Sequence, residues 1–392
     1  MTALGYLSKL AAAQHDSRKC CICASVNRMS HSANILILEP FYTGSHAAWL
    51  DGLRRHSSHQ ISALTLPGQW WQWRMQGGAV SLARLFMASD LSPNLILASD
   101  MLDLTTFLSL TRQRTAAVKT AVYFHENQLT YPPGPRIKRD LKLGFINYAS
   151  ALAADRVFFN SNFHRSAFMD ELPRLLKHYP DYWELETVAA IHAKSEVLPV
   201  GVDLARFDEF ATPKDYSQPV ILWNHRWEAD KDTETFMKAM LKLAAQGHAF
   251  ALILAGEKVG QAETPIDHLA AQLPERVLHI GYAPDFASYA RLLWRATHVV
   301  STAYQDFFGI SMVEAIYCGA LPLMPRRLNY PDLLPTDQHG TCLYLEGGLA
   351  AALTQHLYTP APPALRQYVR QFDWRQIIGQ YDRRLNAVIQ GE

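Results

Sequence analysis

The 392-residue chain predicts an α/β fold: two Rossmann-like lobes, each a parallel sheet with helices on both faces, facing a cleft. Three observations carry this expectation. Short, continuously apolar strands alternate with helical segments, and such runs belong to strands buried on both faces. The alternation breaks after residue 203 at a polar, proline-containing stretch and resumes at Pro219. The length suits two domains of ordinary size, and 49% hydrophobic against 19% charged residues supplies cores for both.

In the first half, ILILE at 35–39 reads as the opening strand, Pro40 to His46 as its loop, and AAWLDGLRRH as the next helix. ISALTL at 61–66, NLILAS at 94–99, KTAVYFH at 119–125 and RVFFNS at 156–161 read as further strands, the last after a helix that includes Gly144 to Ala153. EVLPVGVD at 196–203 leads into the linker, ARFDEFATPKDYSQP. PVILWNH at 219–225 opens the second half, followed by a helix from about Thr233 to Gln246. ALILAG at 251–256, RVLHIGY at 276–282, HVVST at 298–302 and ALPLMP at 320–325 then alternate with helices. The expected domains are 30–205 and 217–372, with a terminal helix at 373–392 whose return to the first lobe the sequence leaves open. Residues 1–28 read as a poorly ordered extension ahead of a natural start at Met29, and carry no assigned function.

Bulk properties exclude several classes. No apolar run approaches the ~20 residues needed to span a bilayer. A net charge of +1 gives no global basic field, so a nucleic-acid partner requires a local basic surface. Five cysteines make no disulfide framework in so long a chain, and a reduced, cytoplasmic compartment is expected. Cys20, Cys21 and Cys23 lack the second ligand pair of a zinc site. Neither half carries GxGxxG after its first strand, which argues against a nicotinamide oxidoreductase.

The segment QDFFGISMVEA at 305–315 joins an acid, Asp306, to a turn at Phe307-Phe308-Gly309 and an apolar helix bearing Glu314. A loop entering a helix N-terminus offers unpaired N–H groups, here near Gly309, Ile310 and Ser311, and these suit a diphosphate. An acid in a first turn is also ordinary helix chemistry. Arg226 and Lys231 follow the first strand of the second half. They can neutralise a diphosphate, or simply pair with Glu228, Asp230 and Asp232 in a solvated turn. His125, Glu126 and Asn127 leave a strand at its carboxyl edge, where a sugar can meet them, and Gly44, Ser45 and His46 occupy the corresponding loop of the first strand. Trp70, Trp71 and Trp73 with Arg74 form either a stacking platform or a packing segment. Arg136, Lys138, Arg139 and Lys142 form a basic run that suits a phosphate backbone or a solvated face.

With these residues, the chain resembles the retaining GT-B glycosyltransferases of family 4. The family's acid, seven residues, then Glu is matched by Asp306 and Glu314, with FFG where PFG is common, and its Arg-x4-Lys pair by Arg226 and Lys231. EPFYTGSH at 39–46, WQWR at 71–74, YFHENQLTYP at 123–132, FNSNF at 159–163 and NHRWEADKD at 224–232 resemble the tRNA-queuosine mannosyltransferase branch. The resemblance implies transfer of mannose, with retention, from GDP-mannose to queuosine in tRNA, without a bound metal or other cofactor. It casts Arg226 and Lys231 as stabilisers of the departing diphosphate, with Gly309, Ile310 and Ser311 beside it, and Glu314 on the ribose. Asp306 and His125 would contact the transferred sugar. Gly44, Ser45, His46, Trp71, Trp73, Arg74, Glu126 and Asn127 fall on the acceptor side. Asp306 stands where the family usually has Glu. Two other readings remain at this stage: the same chemistry on another acceptor, such as a cell-envelope glycan, and a lobe pair that binds nucleotide sugar or RNA without catalysis.

Overall fold

The structure, a computed structural model, describes residues 32–131, 140–258 and 260–392. The first sheet holds β1 (Asn34–Tyr42), β2 (Gln60–Pro67), β3 (Leu95–Ser99), β4 (Lys119–Phe124), β5 (Arg156–Phe159) and β6 (Ser195–Val197), in the order β2-β1-β3-β4-β5-β6. The second holds β7 (Val220–Asn224), β8 (Ala251–Ala255), β9 (Val277–Gly281), β10 (His298–Val300), β11 (Leu321–Pro325) and β12 (Leu343–Tyr344), in the order β12-β11-β10-β7-β8-β9. Every strand pair is parallel.

This order positions the site. The sequential path reverses between β1 and β3 in one sheet and between β7 and β10 in the other. Loops leaving the carboxyl ends of strands at such a reversal splay apart and open a crevice for a ligand. Ile35 to Leu38, Leu95 to Ala98 and Ile221 to Trp223 are buried throughout, as strands covered on both faces must be.

Several expected boundaries move. Pro40, Phe41 and Tyr42 extend β1, and the next helix (Gly44–His56) already begins at Gly44, so only Thr43 remains as a connection. The expected loop from Pro40 to His46 is therefore almost absent, because Tyr42 keeps pairing with Pro67 beyond an irregularity in register. The expected linker is not merely polar: its Phe207 is buried in a 3-10 turn (Leu204–Phe210), and the Phe207 carbonyl accepts from Trp294 Nε1 at 2.7 Å. The final helix (Trp374–Gln390) lies on the first sheet's side of the molecule. Its Tyr381 hydroxyl is 3.0 Å from Trp49 Nε1 and 3.1 Å from the Tyr123 hydroxyl.

Asp103, Asp140, Ser161, Asp232, Asp285 and Asp373 each cap a helix by accepting a backbone N–H. The helices Gly44–His56, Trp71–Met87 and Ile310–Tyr317 begin without a side-chain cap, so their first N–H groups stay free for another acceptor.

Candidate active site

At the carboxyl end of β1 an acid interrupts an apolar strand. Glu39 is fully buried. One carboxylate oxygen accepts the Phe41 N–H at 2.8 Å, and the other lies 2.9 Å from His46 Nδ1. His46 belongs to the first turn of its helix, and its ring centroid is 4.2 Å from that of His125. His125 leaves β4 with its backbone N–H donating to Asp100 Oδ1 at 2.8 Å, and its Nδ1 lies 3.4 Å from the same oxygen. Trp49 and Tyr123 close the other sides of the His125 ring, with centroids at 4.8 and 4.7 Å.

Four titratable groups thus share one dry corner, and their proton affinities are pulled apart. Burial works against the proton on His46, but Glu39, Asp100 and Glu126 outweigh it and lift its pKa to about 9. Burial would raise Glu39, yet the charge and hydrogen bond of His46 hold it below the usual carboxylate value. Burial pushes Asp100 up to about 7 against the pull of His46. Burial and the neighbouring His46 keep His125 neutral, well below the ordinary histidine range. The corner therefore holds an ion pair, Glu39 with His46, beside a neutral imidazole whose two ring nitrogens have no hydrogen-bond partner. Ligand atoms of Glu39, His46 and His125 lie within 4.8 Å of one another, a metal-capable grouping that the sequence does not reveal. Glu39 and His46 each already spend one such atom on the other.

The second lobe is built differently. After β7, the exposed Arg226 pairs with Glu228 at 3.2 Å. Lys231 lies deeper, donating to the Gln305 carbonyl at 2.6 Å and standing 3.2 Å from Asp230. Tyr304 N–H donates to the Asp230 carbonyl, and Thr302 Oγ1 to the Lys231 carbonyl, so the loops after β7 and β10 are tied together. Asp306 accepts from the Tyr330 hydroxyl at 3.2 Å. Gly309, at φ 100°, turns the chain into the helix Ile310–Tyr317; a side chain there would strain the backbone and meet Leu333 at 2.9 Å. Glu314 accepts from the Tyr289 hydroxyl at 2.7 Å, and burial pushes its pKa up to about 7 against that hydrogen bond. Asn224 fixes the assembly by donating to both Tyr289 and the Ser311 carbonyl.

A cavity of about 900 Å³ joins the lobes. Gly44, Ser45, His46 and Glu126 line it from the first lobe, and Arg226, Glu228 and Asp230 from the second, with Trp71 at one side. Lys231, Asp306, Gly309, Ile310, Ser311 and Glu314 are not among its lining residues. The turn between the acids carries its own contacts. The Phe307 ring stacks on His164 of the first lobe at 4.0 Å, its carbonyl accepts from Ser161 Oγ at 2.6 Å, and Phe308 packs edge-on to Phe372.

The expected residues divide accordingly. The fold brings Gly44, Ser45, His46, Trp71, Glu126 and Arg226 to one cavity. Asn127 is fully buried, and its Oδ1 accepts from Leu129 N, Thr130 N and Thr130 Oγ1, so it shapes the loop. Trp73 and Arg74 lie outside the cavity lining, where Arg74 Nε donates to the Pro67 carbonyl. Arg226 and Lys231 do pair with Glu228 and Asp230, the solvated-turn pattern, yet they do so at the cleft. Arg136, Lys138 and Arg139 lie outside the described residues, as do Cys20, Cys21 and Cys23; Lys142 is exposed on the helix Leu141–Ala153. Sequence reasoning missed Glu39, Asp100, Ser161, His164 and Tyr289. For the two acids a signal existed: each is a charge at the carboxyl end of an apolar strand, where burial on both faces leaves no solvent to take it.

Residues 34–202 match the family model described as tRNA-queuosine alpha-mannosyltransferase N-terminal, and residues 205–355 the one described as glycosyl transferases group 1. The tRNA-queuosine alpha-mannosyltransferase of Drosophila melanogaster is 33% identical over 334 residues, covering 83% of this chain and 86% of the relative. The chain belongs to the tRNA-queuosine alpha-mannosyltransferase family, within the glycosyltransferases. The GDP-mannose:cellobiosyl-diphosphopolyprenol alpha-mannosyltransferase of Xanthomonas oryzae pv. oryzae is 23% identical, covering 61% of this chain and 64% of that one. Sucrose-phosphate synthase from Thermosynechococcus elongatus shares the fold, with a TM-score of 0.68 at 16% identity, over 92% of this chain and all of that structure. Among the described residues no helix is long and apolar enough to cross a membrane.

Proposed function

We propose that the protein transfers mannose from GDP-mannose to queuosine in tRNA, with retention of anomeric configuration. The observation that carries this reading is the cavity itself: Gly44 to His46 on one wall face Arg226 on the other, at the topological reversals of both sheets. The identity to a relative of that name over most of both chains supports the acceptor.

In this reading the uncapped N-terminus of Ile310–Tyr317 and the cations Arg226 and Lys231 receive the diphosphate as charge develops on it. Fixed donors aimed at developing charge are worth several kcal/mol, since they need no reorganisation during the reaction. Glu314, held by Tyr289, takes the ribose hydroxyls. His125 presents a neutral imidazole and Asp306 a carboxylate to the transferred sugar. His46 and the free N–H groups of its helix face the acceptor. The residues carry the reaction by charge and position, so no resident cofactor is needed.

Incubation with labelled GDP-mannose and tRNA, with and without queuosine, tests the reading. Label should enter only the queuosine-containing tRNA. Equal labelling of both, or labelling of a polyprenol-linked glycan in their place, would overturn it.

A further inference from the structure

The tryptophans at 70, 71 and 73 are not packed in a core. Trp70 is 78% exposed and Trp73 62% exposed, and Trp71 lines the cavity from the start of the helix Trp71–Met87. Two features bear on the placement of these rings. Trp70 sits at φ 54°, a left-handed backbone conformation rare for a bulky side chain, and it forms the turn that starts the helix. Gly77, one turn after Trp73, lies in the helix interior, where glycine is unfavourable. A Cβ on Gly77 would stand 2.7 Å from the Trp73 ring, so the missing side chain makes room for an indole lying back along the helix. Arg74 fixes the same turn through its bond to the Pro67 carbonyl.

A sequence that accepts a strained residue and a helical glycine to hold indoles in water has placed them for a partner with flat faces. Continuity with the cavity, through Trp71, Gln72 and Gly68, says which partner: whatever surrounds the acceptor hydroxyl as it enters. We propose that Trp70 and Trp73 form a stacking platform for unpaired nucleobases of a single-stranded RNA loop that delivers the acceptor nucleoside. This rests on the tRNA reading above and deepens it. Indoles stack on any base, so the platform holds the loop while the cavity selects the nucleoside. An RNA duplex, whose bases are covered by their neighbours, offers no free faces to it.

Fluorescence anisotropy with a labelled RNA hairpin bearing an unpaired loop, and with the loop-free duplex of its stem, tests the platform without turnover. The W70A/W73A variant should bind the hairpin roughly 10- to 100-fold more weakly, the effect of losing stacking on one or two bases. W70F/W73F, which keeps a flat ring at both positions, should recover most of the affinity, and thermal melts confirm that both variants fold. Unchanged hairpin affinity in W70A/W73A would overturn the proposal, as would equal wild-type affinity for hairpin and duplex. Failure of mannosyl transfer by a wild type that binds the hairpin through these rings would instead overturn the functional reading alone.

Discussion

The two walls of the cleft use charge in opposite ways. On the first lobe, Glu39, His46, His125 and Asp100 are removed from water and satisfy or repel one another, so their proton affinities are shaped by one another before any ligand arrives. On the second lobe, Arg226 keeps 54% of its side chain exposed and leans on Glu228 only as a surface pair. A desolvated network is strong and costly to break, because a remaining partner is stranded. A solvated pair is weak and easily exchanged for a ligand phosphate. The first wall is therefore a preorganised scaffold and the second a receptive one, which suits the proposed nucleotide-sugar donor.

Four substitutions break or sharpen this contrast. The largest effect belongs to Lys231, a second-lobe cation anchored inside, by Gln305 and Asp230. Lys231→Ala should lower kcat/KM by about 100- to 1,000-fold, the scale for losing a charge stabiliser in the transition state, with an unchanged far-ultraviolet circular dichroism spectrum. Turnover near the wild-type rate would remove it from the donor site.

Next is Glu39→Ala, which strands a protonated His46. Breaking one partner of a buried pair costs about 3–5 kcal/mol, to be read by urea unfolding. The pH dependence has a definite sign. His46 keeps its proton up to about pH 9 when folded, against 6.5 ordinarily. With Glu39 ionised, the pair's contribution is therefore full below pH 6.5 and lost as pH rises through 9, and the variant should lack that fall.

Glu314→Gln should act in the reverse direction on stability. Its folded pKa, raised to about 7 from 4.5, makes ionisation a burden that grows as pH rises from 4.5 through 7. At pH 8 the variant should be more stable by roughly 1–3 kcal/mol, while GDP-mannose affinity, measured calorimetrically, falls. A variant that is less stable at pH 8 would contradict this assignment.

The smallest effect is Glu228→Gln, which frees Arg226 at the exposed pair. Stability should change by less than about 1 kcal/mol, and GDP-mannose should bind somewhat more tightly at low salt, with the gain shrinking as salt rises.

Much of the fold was legible because apolar runs of strand length, alternating with helices, leave few alternatives to doubly covered parallel sheets. The candidate site was legible where a chemical pattern is local. Arg226 with Lys231, and Asp306 with Glu314, each lie on one loop or one loop and its helix, so spacing reveals them. The tryptophan cluster was ambiguous for the same reason: spacing gives three indoles but not whether they face a core or water. Asn127 shows the limit, since an amide beside His125 and Glu126 looks like a ligand contact until its oxygen is found bonded to its own loop.

By itself, then, the sequence determined the strands, the break between the lobes and the charges carried by the second lobe's loops, because these depend on hydrophobic period and short spacing. Only the tertiary structure decided which buried groups touch. Glu39, Asp100 and His125 come from three neighbouring strands and meet at the carboxyl end of one sheet, and His164 reaches Phe307 across the cleft. Proton states such as the charged His46 beside the neutral His125 follow from that meeting. Desolvation and Coulomb energy depend on distance in space, and distance along the chain does not encode them.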